Sequence, residues 1–172
     1  IINPQGGITM TLFLSDNVRA RWHRPYKDTH GRYRHQPYAP PAVWPEGCIQ
    51  IYVAGVAKGR KPGEPIPPSG YGVIVVEKRT RVFLISGPVT AAEPGVTTAT
   101  DYLASLVAVT RALEWAAVDG VYAGRPIILR FSEPYGPNVA SDVWRGKTHK
   151  AMAARAKRAW TRLKKRQTPV WL

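Results

Sequence analysis

Gly70-Tyr71-Gly72-Val73-Ile74-Val75-Val76 and Arg81-Val82-Phe83-Leu84-Ile85 are separated only by Glu77-Lys78-Arg79-Thr80. Both runs are rich in β-branched and aromatic residues, and a charged turn joins them, so they are predicted as neighbouring strands. The first is apolar enough to predict burial on both faces. Upstream, Ile49-Gln50-Ile51-Tyr52-Val53 alternates and reads as another strand, followed by a Gly/Pro-rich loop from Gly55 to Ser69. The three strands together predict an antiparallel meander.

Downstream the period changes. Thr97 to Ala117 is predicted as a helix, with Thr100 as N-cap and Asp101 in the first turn, where a negative charge suits the helix dipole. Leu103, Leu106, Val107, Thr110 and Leu113 mark its buried face, and Asp119-Gly120 stops it. Pro126 to Phe131 is the next strand, reached through a helix and so expected to run parallel to the first. Glu133-Pro134-Tyr135-Gly136-Pro137 breaks it. Thr148 to Arg166 is a second long helix. Met152, Ala156, Ala159 and Leu163 form its core side with Trp160, while Arg155, Arg158, Arg162 and Lys165 form a separate basic stripe. Pro169-Val170-Trp171-Leu172 begins a fifth strand. The expected fold class is α/β: a mixed five-stranded sheet, three strands antiparallel and the later ones parallel and helix-linked, with flanking helices.

Residues 1–47 read as an extended basic and aromatic arm, and 48–172 as the compact domain. Pro25, Pro37, Pro40, Pro41 and Pro45 oppose long regular structure in the arm. Its mixture of Arg21, Trp22, Arg24, Tyr26, Arg32, Tyr33 and Arg34 suits stacking on bases or packing on protein. His23, His30 and His35 lack the company and spacing of a zinc site.

Charge is unevenly distributed. The 172 residues carry a formal net charge of +14, from 25 Lys and Arg against 11 Asp and Glu. Residues 1–48 contribute +3 (six basic, three acidic), residues 49–140 contribute +2 (nine and seven), and residues 141–172 contribute +9 (ten and one). A balanced middle with a basic end points to a polyanion partner, foremost nucleic acid. The 44% hydrophobic content supports a core rather than disorder. No apolar run approaches the ~20 residues of a membrane span. Cys48 is the single cysteine, which excludes an internal disulfide and suggests a reducing, intracellular setting. No Walker loop, dinucleotide fingerprint or signal peptide is visible. The start at Ile1 rather than Met suggests processing or a longer parent chain.

The order of elements and several local motifs together resemble type 1 ribonuclease H. The motifs are Ile51-Tyr52-Val53-Ala54-Gly55, Pro62-Gly63, Ser69-Gly70-Tyr71-Gly72, the Thr97 to Leu106 helix opening, Phe131-Ser132-Glu133-Pro134-Tyr135 and the late Trp160 with Pro169-Val170-Trp171. The resemblance covers about residues 49–172 and implies a fold in which a closing C-terminal helix would lie beyond Leu172. It also implies a site in which four carboxylates hold two Mg²⁺ ions. The first family position is Ala54 here, the second Asp101, the third Ser132, and the fourth would follow Leu172. Glu133 sits next to Ser132, but strand alternation would turn it to the opposite face, so it substitutes only if the strand end is irregular. The expected reading is a catalytically inactive ribonuclease H-like domain with no intact catalytic set, Asp101 being a remnant metal ligand or a plain helix-end charge. No cofactor is expected, and Mg²⁺ enters only if the enzyme is active.

Loss of carboxylates also makes a groove less repulsive to phosphate. The loop Lys58-Gly59-Arg60-Lys61 and the stripe Arg155, Arg158, Arg162 and Lys165 are the expected nucleic-acid contacts. The expected partner is RNA or an RNA–DNA hybrid, bound with little sequence preference, with a larger ribonucleoprotein or polyprotein reached through residues 1–47. Two other functions stay open: an active hybrid-cleaving ribonuclease whose residue 54 or chain end has been altered, and a protein-interaction subunit whose basic helix meets an acidic partner.

Overall fold

The computed structural model describes residues 26–27, 33–34, 46–58, 69–90, 93, 96, 100–118, 120–122 and 124–172. The chain divides into two units, Ile1–Ala39 and Pro40–Leu172. Of the first, the described part is one antiparallel ladder that pairs Tyr26 with Arg34 and Lys27 with Tyr33. The arm's other basic, aromatic and histidine positions lie outside the described residues.

The second unit is a mixed sheet flanked by helices. Strand β1 (Ile49–Ala57) pairs antiparallel with β2 (Ser69–Glu77), which pairs antiparallel with β3 (Thr80–Pro88). Helix α1 (Asp101–Val118) then crosses back, and β4 (Ile127–Phe131) runs parallel to β1, with Ile49 opposite Ile127 and Val53 opposite Phe131. Helix α2 (Tyr135–Ala140) and helix α3 (Lys150–Lys165) follow, and β5 (Val170–Trp171) pairs parallel with β4. The spatial order is β3-β2-β1-β4-β5. The body of the sheet is therefore four strands. The fifth, expected from Pro169 onward, is a two-residue pairing at the edge.

Alternation along the strands sets the layers. Ile49, Ile51 and Val53 of β1 stand beside Val73 and Val75 of β2, and all five are buried beneath α1. The opposite face is more open: Val56 and Leu84 are exposed, and Ile74 is half-buried. The burial of Gly70–Val76 on both faces, expected from its unbroken apolar run, is thus corrected to burial on one. Among the described residues, α1 is the helix with extensive contact to the sheet, on β1 and β2. Helix α1 is buried from Leu103 to Thr110 and again at Ala112, Leu113, Ala116 and Ala117. It packs on β1 and β2 on one side and on α2 and α3 on the other.

Helix α3 packs through Met152, Ala153, Ala156, Ala159, Trp160 and Leu163, the stripe its spacing predicts. Glu133 to Pro137, expected only to break the chain, instead leads into α2. That helix lacks a side-chain cap, but Asn138 Nδ2 donates to the carbonyl of Pro134 at 2.9 Å. The β2–β3 hairpin turns on two residues, Lys78 (φ 46°) and Arg79 (φ 69°), both in the left-handed region that side-chain-bearing residues rarely adopt.

Candidate functional site

The C-terminal ends of β1 and β4 meet the first turn of α1. The approach of helix to strand depends on Gly55. A Cβ there would stand 2.1 Å from the carbonyl carbon of Ala104, so α1's backbone lies directly on the strand. This close seating lets the Ala57 N–H donate to Asp101 Oδ1 at 2.6 Å. Thr100 caps the helix as its sequence predicts, its Oγ1 accepting from the Leu103 N–H at 3.1 Å. Asp101 is exposed, and it joins the helix start to the strand end as well as facing solvent.

Ala54 is exposed on β1 and Ser132 is exposed just past β4. Neither brings a carboxylate to this end of the sheet. Glu133 does. The alternation argument that turned it away holds only inside a strand, and β4 ends at Phe131. The chain bends into α2, and the Tyr135 N–H donates to Glu133 Oε2 at 2.8 Å. Burial pushes the Glu133 carboxyl above its ordinary pKa. Hydrogen bonds from the Tyr135 N–H and the Ser105 side chain oppose the shift, and the nearby Asp101 charge adds to it.

Ser105, one turn into α1, is a residue the sequence reading missed. It is buried, and its Oγ donates to the Glu133 carbonyl at 3.3 Å. A Cβ on Gly136 would meet the Ser105 Oγ at 2.9 Å, so α2 closes tightly over it. The sequence signal was the spacing of small residues, Gly55 and Gly136, which permit both approaches. Among the described residues, no three His, Cys, Asp or Glu side chains gather closely enough to hold a metal ion.

Above the open face, the rows Ala54-Gly72-Ser86 and Val56-Gly70-Pro88 line a shallow depression across β1, β2 and β3. The row of small side chains leaves it nearly flat.

The basic residues separate into two groups. Lys58 is exposed directly after β1, one residue beyond the amide that holds Asp101. Arg60 and Lys61 lie outside the described residues. On α3, Arg158, Arg162 and Lys165 are exposed. Arg155, the fourth member of the expected stripe, turns inward. Its Nε and Nη2 donate to the two Glu114 oxygens at 2.5 and 2.7 Å, and its Nη1 donates to Glu93 Oε2 at 3.0 Å. The Glu114 hydrogen bonds and charge, with Glu93, raise the guanidinium pKa further despite burial. Glu93 is buried and also pairs with Arg111. This network ties α3 to α1 and to the segment before it, and the outward row is reduced to three cations.

The sequence and the fold were compared with known proteins. No protein-family model matches the sequence, and no curated protein sequence matches it significantly. Solved structures do match. Ribonuclease H1 of the halophilic archaeon Halobacterium salinarum is 20% identical, with a TM-score of 0.51 over 73% of this chain and 82% of that one. The N-terminal ribonuclease H domain of a Mycobacterium tuberculosis protein is 17% identical, with a TM-score of 0.52 over 74% of this chain and 83% of that one. The fold is that of ribonuclease H. A foamy viral protease–reverse transcriptase, solved in complex with an RNA/DNA hybrid, carries the same fold within a longer chain. It is 19% identical, with a TM-score of 0.54 over 76% of this chain and 18% of that one. In the ribonuclease H fold described here, the end of the sheet that carries Ala54, Ser132, Asp101 and Glu133 is the end to which the motif resemblance assigned the metal-binding carboxylates.

Proposed function

We propose that this domain holds an RNA–DNA hybrid, or RNA of the same A-like shape, by its sugar–phosphate backbone and does not cut it. One observation carries the reading: Ala54 and Ser132 stand exposed where the resemblance calls for carboxylates. Two Mg²⁺ ions that clamp the attacking and leaving oxygens need several converging oxygen ligands. The donors among the described residues do not fit that demand. Asp101 gives one oxygen to the Ala57 N–H, Glu133 gives one to the Tyr135 N–H, and no three His, Cys, Asp or Glu side chains gather among the described residues. No catalytic step is therefore drawn through a metal.

What remains is a site with reduced negative charge and several cations. Lys58 beside the strand end, with Arg60 and Lys61 after it, meets one run of phosphates. Arg158, Arg162 and Lys165 on α3 meet another, while Arg155 stays with Glu114 and Glu93. Phosphate contacts position a strand without reading its bases, so sequence preference is small. The foamy viral neighbour's hybrid complex supports the choice of ligand.

The test has two arms. Filter binding of a hybrid at rising salt is expected to give a steep log–log slope, and a flat slope overturns the reading. Incubation of the hybrid with Mg²⁺ is expected to leave it intact. Cleavage that is lost in Asp101→Asn and Glu133→Gln would replace this reading with a second one, an active nuclease using that pair. The electrostatic proximity of Asp101 and Glu133 favours that second reading.

A further inference from the structure

Three aromatic rings line the lip of the site, brought there by two helices and the loop after α2. Tyr102 lies in the first turn of α1, directly after Asp101. Tyr135 opens α2, and its own N–H holds Glu133. Trp144 follows α2. The Tyr102 and Tyr135 rings lie 5.2 Å apart at 43°, and Tyr135 and Trp144 lie 6.5 Å apart at 55°. We infer that Tyr102, Tyr135 and Trp144 form a stacking platform for unpaired bases of a single nucleic-acid strand.

Exposure argues against a purely structural cluster. Tyr102 is 56% exposed, and Tyr135 and Trp144 are half-buried. A second aromatic group, Phe83–Trp115–Tyr122, shows the contrast. There Trp115 of α1 stacks on Phe83 of β3 at 5.0 Å and 22°, which joins helix to sheet. The ring of Tyr102 lies instead against Tyr135 of α2.

The platform is nevertheless held in place. The Tyr135 hydroxyl lies 3.2 Å from Thr148 Oγ1, the backbone N–H of Trp144 donates to the Asn138 carbonyl at 3.0 Å, and Thr100 caps the turn that carries Tyr102. Rings fixed beforehand lose little freedom on binding.

Charge around the rings selects the occupant. Arg145, Lys147 and Lys150 are exposed on the Trp144–Thr148 side, and none is in an ion pair among the described residues. On the Tyr102 side stand Asp101 and Glu133. Phosphates are therefore drawn to the 145–150 side, and bases are left over the rings. Every base has a π face, so such a platform tolerates any sequence. Bases inside a duplex already stack on one another, so the platform takes a single-stranded segment, such as an overhang beside a hybrid.

This inference rests on the nucleic-acid reading above, and the experiment separates the two. The 172-residue protein is titrated with a short single-stranded RNA, the same backbone without bases, a blunt-ended hybrid and a proline-rich peptide. Tyr102→Ala is expected to weaken single-stranded RNA binding about tenfold or more, with an unchanged salt slope. The abasic strand and the blunt hybrid are expected to bind Tyr102→Ala as they bind the parent, and Tyr102→Phe is expected to retain RNA affinity. Equal RNA affinity of Tyr102→Ala and the parent, with hybrid binding intact, overturns the platform and leaves the proposed function standing. Absence of binding to every nucleic acid overturns both. Tighter binding of the peptide than of RNA, abolished by Tyr102→Ala, reassigns the rings to a protein ligand and also overturns the inference.

Discussion

Helices α1 and α3 pack against each other, yet they answer to different constraints. Helix α1 is enclosed between the sheet and the outer helices, and its residues from Leu103 to Thr110 are all buried. Helix α3 is the outer layer, with one apolar side and cations on the other. The basic end of the sequence thus belongs to the element that has solvent to face. Arg155 is the exception, because it reaches back to Glu114 of α1. Sequence spacing alone places it with Arg158 and Arg162, and only a partner 41 residues earlier turns it inward. A cation on an amphipathic helix is therefore a ligand contact or a structural tie according to what lies beneath it.

The comparison is broken most severely at the enclosed helix. Gly55→Ala drives a methyl group into the Ala104 backbone, so α1 must lift from β1. A loss of about 3 kcal/mol or more in unfolding free energy is expected by urea denaturation. An unchanged midpoint would show that α1 is not seated as described. Next comes the tie between the helices. Arg155→Ala leaves Glu114 unpaired and buried Glu93 with Arg111 alone. Because Arg155 and Glu114 keep some solvent exposure, about 2 kcal/mol is expected rather than the full effect of breaking a buried pair. Its nucleic-acid affinity at fixed salt is expected to stay close to the parent's. The outward row reverses both outcomes. Replacing Arg158, Arg162 and Lys165 together by Gln is expected to change stability by less than about 0.5 kcal/mol per site. The same variant is expected to lower the salt slope of binding by about 2 to 3, and an unchanged slope would remove α3 from the interface.

The smallest effect concerns pH. Burial holds the Glu133 pKa above the ordinary carboxylate value, so the folded chain keeps that proton to higher pH than the unfolded chain does. Stability from this group is fully present below the unfolded pKa of about 4.5, and it falls as pH rises through the raised folded value. Glu133→Gln keeps an oxygen for the Tyr135 N–H and is expected to flatten that part of the stability–pH curve. A curve identical to the parent's would mean that Glu133 is solvated like a free side chain.

The meander, the parallel return of β4 and the apolar stripe of α3 were legible because each follows a local period. Thr100 was legible as a cap for the same reason. Helix α2 was not, since Tyr-Gly-Pro-Asn-Val-Ala carries weak local preference, and the segment is shaped by the contact of Gly136 with Ser105. At the site, Ala54, Asp101 and Ser132 were placed at one end of the sheet by sequence motifs, and the structure brings them there. Glu133 was set aside unless the strand end is irregular, and β4 stops at Phe131, before it; Ser105 was not recognised, because its position depends on how closely α1 approaches Gly55. The aromatic lip was hidden because its members come from two helices and a loop. Arg60 and Lys61 fall outside the described residues.

The β2–β3 turn offers a different use. Lys78 and Arg79 form a dibasic pair at an exposed tip, the composition and location that proteases cutting after basic residues favour. Such enzymes act on an extended backbone, whereas both residues are bent to positive φ and the hairpin closes directly at the Glu77–Thr80 pair. The peptide bond is in reach of the enzyme yet in the wrong shape for it until the hairpin tip loosens. Nicking at Lys78–Arg79 then serves as a clock for that local opening, read while the helices remain folded.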